Sequence, residues 1–114
     1  MVQDDSCGRI DNADALAAML GTATGGIFAL FYASWCPFCD RFLPAFRREA
    51  QGKQEHFVAV QDDDELLAAR YAIDVYPTVL FIEKGSVSKR LDGVPGVGLD
   101  ERQLSEFIVS CPIS

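Results

Sequence analysis

The sequence predicts one α/β domain over residues 1–114, built on a mixed central sheet of four to five strands with helices on both faces. Three observations support this fold class. A chain of 114 residues, 49% of them hydrophobic, can bury a core without metal or disulfide cross-links. Residues 27–32 form a continuous apolar run, typical of a strand that is buried on both faces. Helical and strand patterns alternate along the chain, and strands joined by a helix run parallel.

The first predicted helix covers residues 11–20 and follows a short strand. Asp11 is its expected N-cap, because an aspartate side chain accepts hydrogen bonds from the free N–H groups of a first helical turn. Gly21 is its expected end, since glycine commonly follows the last helical residue. The buried strand at residues 27–32 comes next.

The segment after that strand predicts an amphipathic helix that starts at Cys36. Its apolar residues recur at helical spacing, and the stripe comprises Cys39, Phe42, Leu43, Phe46 and Ala50. Pro44 lies within this helix and cannot donate a hydrogen bond to the carbonyl of Asp40. A kink is therefore expected at Pro44.

The second half of the chain completes the predicted sheet. Residues 57–60 are expected to form a strand parallel to the first, because a helix connects the two. The acidic residues 62–65 are expected to supply the cap and the first-turn acids of a helix that runs through Tyr71. Residues 78–82 and 87–91 are predicted to pair as an antiparallel hairpin.

The last predicted helix begins with a capping box. Asp100 and Gln103 have the spacing at which each side chain bonds to the backbone N–H of the other residue. The helix is expected to end before Pro112, and its apolar stripe is Leu104, Phe107, Ile108 and Cys111.

Charge and composition limit the partners and the compartment. A net charge of −7, spread along the chain, argues against binding to nucleic acid or to an anionic membrane. The longest apolar stretch, residues 25–33, is too short to span a bilayer. The N-terminus is acidic where a secretory signal would be basic, so we expect a cytoplasmic protein. A periplasmic or secreted protein is expected instead if Met1 begins a chain that was trimmed of its signal.

Cys36 and Cys39 form a C-x-x-C pair where a buried strand leads into a helix. Free N–H groups and the helix dipole stabilise a thiolate at this position, and the thiolate is the nucleophile of disulfide exchange. Pro37 suits the first helical turn. Cys39 lies one turn further on, within reach of a mixed disulfide formed by Cys36. Because Cys39 lies on the apolar stripe, we expect a shielded Cys39 that resolves and an exposed Cys36 that attacks.

The four cysteines also allow other roles. A zinc site needs two more ligands, and the remaining candidates are Cys7, His56 and Cys111, no two of which form a close pair. No metal and no organic cofactor are therefore predicted. Cys7 and Cys111 either form a disulfide bond that joins the two ends of the chain, or Cys111 is a free cysteine that packs as a small buried hydrophobic residue. His56 is expected to have a surface role.

Residues 31–39, Phe-Tyr-Ala-Ser-Trp-Cys-Pro-Phe-Cys, resemble the active-site strand and helix of the thioredoxin family. Pro44 falls where that family kinks this helix, Tyr76-Pro77-Thr78 resembles its cis-proline turn, and Gly93 resembles the glycine that borders its substrate groove. The resemblance covers about residues 10–110.

The resemblance implies a thioredoxin fold and a thiol–disulfide oxidoreductase that reduces protein disulfides. Pro77 is then expected to be cis and to pack against the cysteines, while the backbone of Tyr76 pairs with an extended substrate peptide. A thioredoxin-reductase-like electron donor and a monomeric state are implied. The residues expected to contact substrate are Trp35, Pro37, Phe38, Tyr76, Pro77 and Gly93. An exposed apolar patch is also expected around Cys36, formed by Trp35, Pro37, Phe38, Tyr76 and Val94.

The chain departs from the family pattern at three places. Pro37 and Phe38 stand between the cysteines where thioredoxins usually have Gly-Pro. Leu30 and Val58 stand where the family has a buried acid and its lysine partner, so water or the Cys36 thiolate is expected to take the proton of Cys39. Residues 94–98 lengthen a loop near the groove, either as a determinant of partner choice or as a neutral insertion.

Two alternative functions follow from these departures. A disulfide oxidant or isomerase of the same fold would use the same cysteines at a different reduction potential. A non-catalytic client-binding module would use the apolar patch alone.

Overall fold

The computed structural model describes residues 8–22 and 25–111. Five strands and four α-helices alternate in the predicted order. In chain order they are β1 (Gly8–Ile10), α1 (Ala13–Thr22), β2 (Ile27–Tyr32), α2 (Pro37–Ala50), β3 (Phe57–Gln61), α3 (Leu66–Arg70), β4 (Thr78–Glu83), β5 (Ser86–Asp92) and α4 (Glu101–Val109). A 3₁₀ turn at Gln54–His56 leads into β3.

The strands form one mixed sheet in the order β1-β3-β2-β4-β5. β1, β3 and β2 are parallel, whereas β4 runs antiparallel to both β2 and β5. All six residues of β2 are buried. Successive side chains of a strand point to opposite faces, so both faces of the sheet are covered, as the apolar run predicted.

Phenylalanines fill the space between the sheet and the helices that pack on it. The ring of Phe28 on β2 lies 5.0 Å from Phe57, 4.7 Å from Phe81 and 5.9 Å from Phe107, measured between centroids. Phe46 of α2 meets Phe57 edge-on at 5.4 Å. β2 is therefore packed against its two neighbouring strands and against α4, and its C-terminal end leads into the residues that precede Cys36.

The first helix differs from its prediction at both ends. Asn12, not Asp11, is the cap, because its Oδ1 accepts from the backbone N–H of Ala15 at 2.7 Å. The helix also continues through Gly21 to Thr22. A glycine in a helix costs about 1 kcal/mol relative to alanine, which does not suffice to end one.

The second helix is one unbroken α-helix from Pro37 to Ala50, with Pro44 inside it. Four of the five predicted stripe residues are buried, while Leu43 is half-buried and Ala45 is buried in addition. The predicted kink at Pro44 stays a prediction.

The third helix is shorter than predicted, and one of the four predicted acids caps it. It ends at Arg70, before Tyr71, and the residue that precedes it, Glu65, has φ 62° and makes no capping bond. Asp62 caps it instead, since its carboxylate accepts from the backbone N–H groups of Leu67 at 3.0 Å and Ala68 at 2.7 Å.

The predicted hairpin and the last helix are both confirmed. β4 and β5 pair around Lys84 and Gly85, which have φ of 52° and 78°. The capping box of α4 is complete, with Asp100 and Gln103 bonded reciprocally. Pro112 lies outside the described residues.

Candidate active site

Cys36 caps the N-terminus of α2. Its Sγ accepts from the backbone N–H of Cys39 at 3.3 Å, and Pro37 occupies the first helical position as predicted. A sulfur in this place faces the free N–H groups and the positive end of the helix dipole. The backbone therefore supplies a stabilising contact for negative charge on the Cys36 sulfur.

Both thiols of the pair are buried. Cys39 has 1% of its surface exposed, as predicted, but Cys36 has only 5%, so the expectation of an exposed Cys36 is wrong. The cause is the turn before β4, because the Cys36 thiol donates to the carbonyl oxygen of Tyr76 at 3.8 Å. Cys36 nevertheless lines an open groove, whereas Cys39 does not. Cys36 is therefore more accessible than Cys39, as expected, although it is not exposed as expected.

Burial raises the pKa of the Cys39 thiol well above its usual range. Desolvation is the largest cause, followed by a hydrogen bond to Cys36, and the negative charge of Asp40 adds a smaller effect. Leu30 and Val58 are both fully buried on their strands, so no charged group stands at either position. Cys39 is consequently a protonated thiol at neutral pH.

The peptide bond between Tyr76 and Pro77 is cis, as the resemblance implied. Gly93 packs directly behind it, because a Cβ at Gly93 would lie 2.4 Å from the carbonyl oxygen of Pro77. Gly93 is buried and does not line the groove next to Cys36, which Gly96 lines instead. The glycine thus permits close packing of the cis-proline turn.

Tyr76 contacts both Cys36 and Asp62. Its carbonyl accepts from Cys36, and its hydroxyl donates to Oδ2 of Asp62 at 2.7 Å and lies 3.0 Å from the backbone oxygen of Asp62. Tyr76 is 8% exposed and Asp62 is 3% exposed. The predicted apolar patch therefore lacks the Tyr76 side chain. Sequence reasoning also missed this role of Asp62, because its position among four consecutive acids indicated only a helix terminus.

Trp35 lies over Tyr76 and is 57% exposed. The two rings meet edge-on at 5.8 Å, and the indole N–H donates to the backbone oxygen of Asp63 at 3.2 Å. Asp63 in turn accepts from the backbone N–H and the hydroxyl of Ser34, each at 2.7 Å, and these bonds lower the pKa of its carboxyl. The residues before Cys36 are thus fastened to the loop after β3.

A groove of about 300 Å³ opens beside Cys36. Its wall combines apolar side chains with two carboxylates, and it is lined by Trp35, Cys36, Pro37, Phe38, Glu65, Ala68, Ile73, Asp74, Val75, Tyr76 and Gly96. The predicted contact residues around Cys36 are brought together here, with the exception of Pro77 and Gly93, which lie behind the wall.

Residues 94–98 form a closed loop that packs on Phe38. Val94 and Gly98 exchange backbone hydrogen bonds at 3.1 and 2.8 Å. A Cβ on Gly98 would lie 2.9 Å from the Cβ of Phe38, so the two are in close contact. Val94 and Val97 are exposed. The loop therefore extends the apolar surface that Trp35 begins.

The remaining cysteine and histidine predictions have different outcomes. Within residues 8–22 and 25–111, no group of His, Cys, Asp or Glu side chains is suited to a metal ion. Cys111 is a buried free thiol whose pKa is raised by burial, while Cys7 lies outside the described residues. The structure therefore supports the interpretation of Cys111 as a buried hydrophobic residue and gives no support at Cys111 for a disulfide to Cys7. Nδ1 of the half-buried His56 lies 2.9 Å from the carbonyl oxygen of Gly26.

The fold and the site define a dithiol protein with a C-x-x-C pair at a helix N-terminus and a cis-proline turn facing it. The family model named Thioredoxin matches residues 11–109. The chain therefore belongs to the thioredoxin family, a family of thiol–disulfide oxidoreductases, and has the thioredoxin fold.

Individual proteins are similar to this chain in sequence or in fold. Protein disulfide-isomerase A5 from Bos taurus is 31% identical over 82 residues, which are 68% of this chain and 16% of that protein. A thioredoxin from Mycoplasmoides gallisepticum is 34% identical over 74 residues, 62% of this chain and 74% of that protein. The solved structure of a wild-type poplar thioredoxin h has a TM-score of 0.77 at 23% identity, covering 92% of this chain and 95% of its own.

This chain therefore spans about a sixth of the length of the isomerase relative but most of the length of the thioredoxins. Across the described residues, no helix is both long and apolar enough to cross a membrane.

Proposed function

We propose that this protein reduces protein disulfides through the Cys36–Cys39 dithiol, with Cys36 as the nucleophile and Cys39 as the resolving thiol. The observation that carries the proposal is the position of the Cys36 sulfur. It receives an N–H bond at the start of α2, lines the groove, and faces the carbonyl of Tyr76 next to a cis-proline.

The first step is attack of the Cys36 thiolate on one sulfur of the substrate disulfide. A bond forms between Cys36 and that sulfur, the substrate S–S bond breaks, and the other substrate sulfur leaves as a thiolate. In the second step Cys39 loses its proton and attacks the Cys36 sulfur, which releases the second substrate thiolate. Two electrons pass from the dithiol to the substrate, and a Cys36–Cys39 disulfide remains.

The proton of Cys39 has to leave without help from a buried carboxylate, because Leu30 and Val58 are apolar. Cys36 is covalently bound to the substrate at this stage, so its thiolate cannot accept the proton and that part of the expectation from the sequence is wrong. The departing substrate thiolate, or a water in the groove, is the acceptor. Resolution is then the step that responds most to pH, since burial holds the pKa of Cys39 high.

Substrate binding follows from the elements around the groove. An extended segment that pairs with the backbone of Tyr76 brings its own sulfur next to Cys36, because the Tyr76 carbonyl already contacts that thiol. Trp35, Pro37 and Phe38 supply apolar contacts. Pro77 and Gly93 act as positioning residues for this turn. A thioredoxin-reductase-like protein supplies electrons to a monomeric, cytoplasmic domain in this proposal.

Three cysteine variants test the assignment of roles. With insulin as the disulfide substrate and dithiothreitol as the electron source, C36S is expected to lose turnover. C39S should instead retain the first step and accumulate a mixed disulfide that intact-protein mass spectrometry detects. C111S is the matched control and should reduce insulin at the wild-type rate. Full activity of C36S, or a wild-type pair that does not cycle, would contradict the proposal.

The similarity to protein disulfide-isomerase A5 makes an oxidant or isomerase the second candidate. The reduction potential of the Cys36–Cys39 couple separates the two directions. A value near about −270 mV supports a reductant in the cytoplasm, and a value above about −200 mV supports an oxidant or isomerase in an oxidising compartment. A client-binding module without catalysis would keep its partner after C36A, whereas a catalyst loses its activity.

A further inference from the structure

The groove beside Cys36 carries negative charge without a cation among its lining residues. Glu65 and Asp74 both line it and both are exposed. Within the described part of the chain, neither carboxylate forms an ion pair. The charge of Asp74 acts on Arg90 and helps to raise its pKa, but the Arg90 guanidinium donates its hydrogen bonds to Asp92 and to the carbonyls of Tyr71 and Ala72.

Arg41 is a cation near the groove, and it lies against the ring of Phe38. The Arg41 guanidinium lies 5.1 Å from the centroid of the Phe38 ring, and Arg41 lines the neighbouring cavity rather than the groove of Cys36. Asp63 adds a further exposed carboxylate, fixed by Ser34, on the Trp35 side. The wall of the groove therefore carries two carboxylates, those of Glu65 and Asp74, and none of its lining residues is a cation.

We propose that this groove selects disulfide substrates that carry a lysine or arginine close to the reacting cysteine. This inference rests on the proposed function and names its substrate class. A basic side chain can lie against Glu65 and Asp74 while apolar neighbours contact Trp35 and Phe38. Complementary charge accelerates encounter and suppresses partners of the wrong sign, so acidic segments and the anionic glutathione disulfide are poor substrates.

Three synthetic disulfide peptides test this directly. They share one sequence and differ in a single residue two positions from the cysteine: Lys, Gln or Glu. Reduced protein is mixed with each peptide in a stopped-flow instrument, and the fluorescence of Trp35, the single tryptophan of the chain, reports the reaction. The Lys peptide is expected to react about tenfold faster than the Glu peptide at low salt, with the Gln peptide between them. At 1 M salt the ratio should fall to about two, since screening shortens the Debye length to about 3 Å.

The double variant E65Q/D74N removes the two groove charges and keeps the side-chain shapes. It should reduce the low-salt ratio to about two. D14N/E106Q is the matched control, because it removes two exposed carboxylates on α1 and α4 and should preserve the tenfold ratio.

A wild-type ratio near one, faster reaction of the Glu peptide, or an equal change in both double variants would overturn the inference. If no peptide is reduced at all, the proposed function itself fails.

Discussion

The hydrogen bond between Tyr76 and Asp62 provides a sharp test of how the cis-proline turn is held. Tyr76→Phe removes the hydroxyl and leaves the ring that contacts Trp35. Both partners are buried, and the O–H donates to a carboxylate oxygen at 2.7 Å. A hydrogen bond to a charged group contributes about 1.5–3 kcal/mol. Asp62 keeps its bonds from Leu67 and Ala68, so we expect a loss of about 2 kcal/mol in the free energy of unfolding.

Urea unfolding at pH 7 measures this loss, with the slope m unchanged because the buried surface is the same. Tyr71→Phe is the matched control. The Tyr71 hydroxyl has no hydrogen-bond partner among the residues that the structure describes, although its ring packs 5.4 Å from Phe31. A loss below about 0.5 kcal/mol in Tyr76→Phe, or an equal loss in Tyr71→Phe, would refute the reasoning.

The same pair gives a pH dependence of known sign. Burial, followed by the bond to Asp62, raises the pKa of Tyr76 above its ordinary value. Above pH of about 10 an unfolded tyrosine therefore ionises while the folded one stays neutral, and the unfolded state gains stability. The advantage of the wild type over Tyr76→Phe should be complete below pH 10 and should shrink as the pH rises further.

Further predictions follow from the glycine, the missing acid and the resolving thiol. Gly93→Ala should lower the free energy of unfolding by about 2 kcal/mol or more and also lower activity, because its Cβ would lie 2.4 Å from the carbonyl oxygen of Pro77. Gly21→Ala has open space around it in α1 and should raise the free energy of unfolding by about 0.5–1 kcal/mol in the same urea assay. Leu30→Asp should lower the free energy of unfolding by about 3 kcal/mol at pH 8 and by less at pH 5. An unpaired buried carboxylate has a raised pKa, and the cost of burying it decreases as it becomes protonated. Equal losses at both pH values would contradict this prediction. In the triple variant C7S/C36A/C111S, which keeps Cys39 as its single cysteine, the thiolate absorbance near 240 nm should stay absent up to pH of about 9, because desolvation is the main cause of the raised pKa of Cys39. A titration midpoint of about 8.5 would oppose that assignment.

Much of the frame follows from local patterns in the sequence. The apolar run at Ile27–Tyr32, the helical stripe of α2 and the capping box at Asp100 each predicted an element that the structure contains. These signals are reliable because they report burial or hydrogen bonding within a few residues of the chain. The spacing of Cys36 and Cys39 likewise needed no tertiary information, since one helical turn separates them.

Helix ends were harder to predict than helix faces. Asp11, Asn12 and Gly21 all have ordinary terminus signals, and small differences in backbone angles decide which one acts. Asp62 was assigned to a helix cap correctly, but its second bond depends on Tyr76, 14 residues further along.

The chemical environment of the cysteines was decided by tertiary structure. The exposure of Cys36 depends on the Tyr76 carbonyl, 40 residues away, and its groove depends on where Glu65, Asp74 and the loop at residues 94–98 come to lie. The hydrophobic periodicity of the sequence does not predict such contacts, because they join segments whose separation in the chain is unrelated to their separation in space. The sequence by itself therefore determined which two thiols are the candidates for disulfide exchange, and the fold determined how buried they are, which charges face them and what can approach.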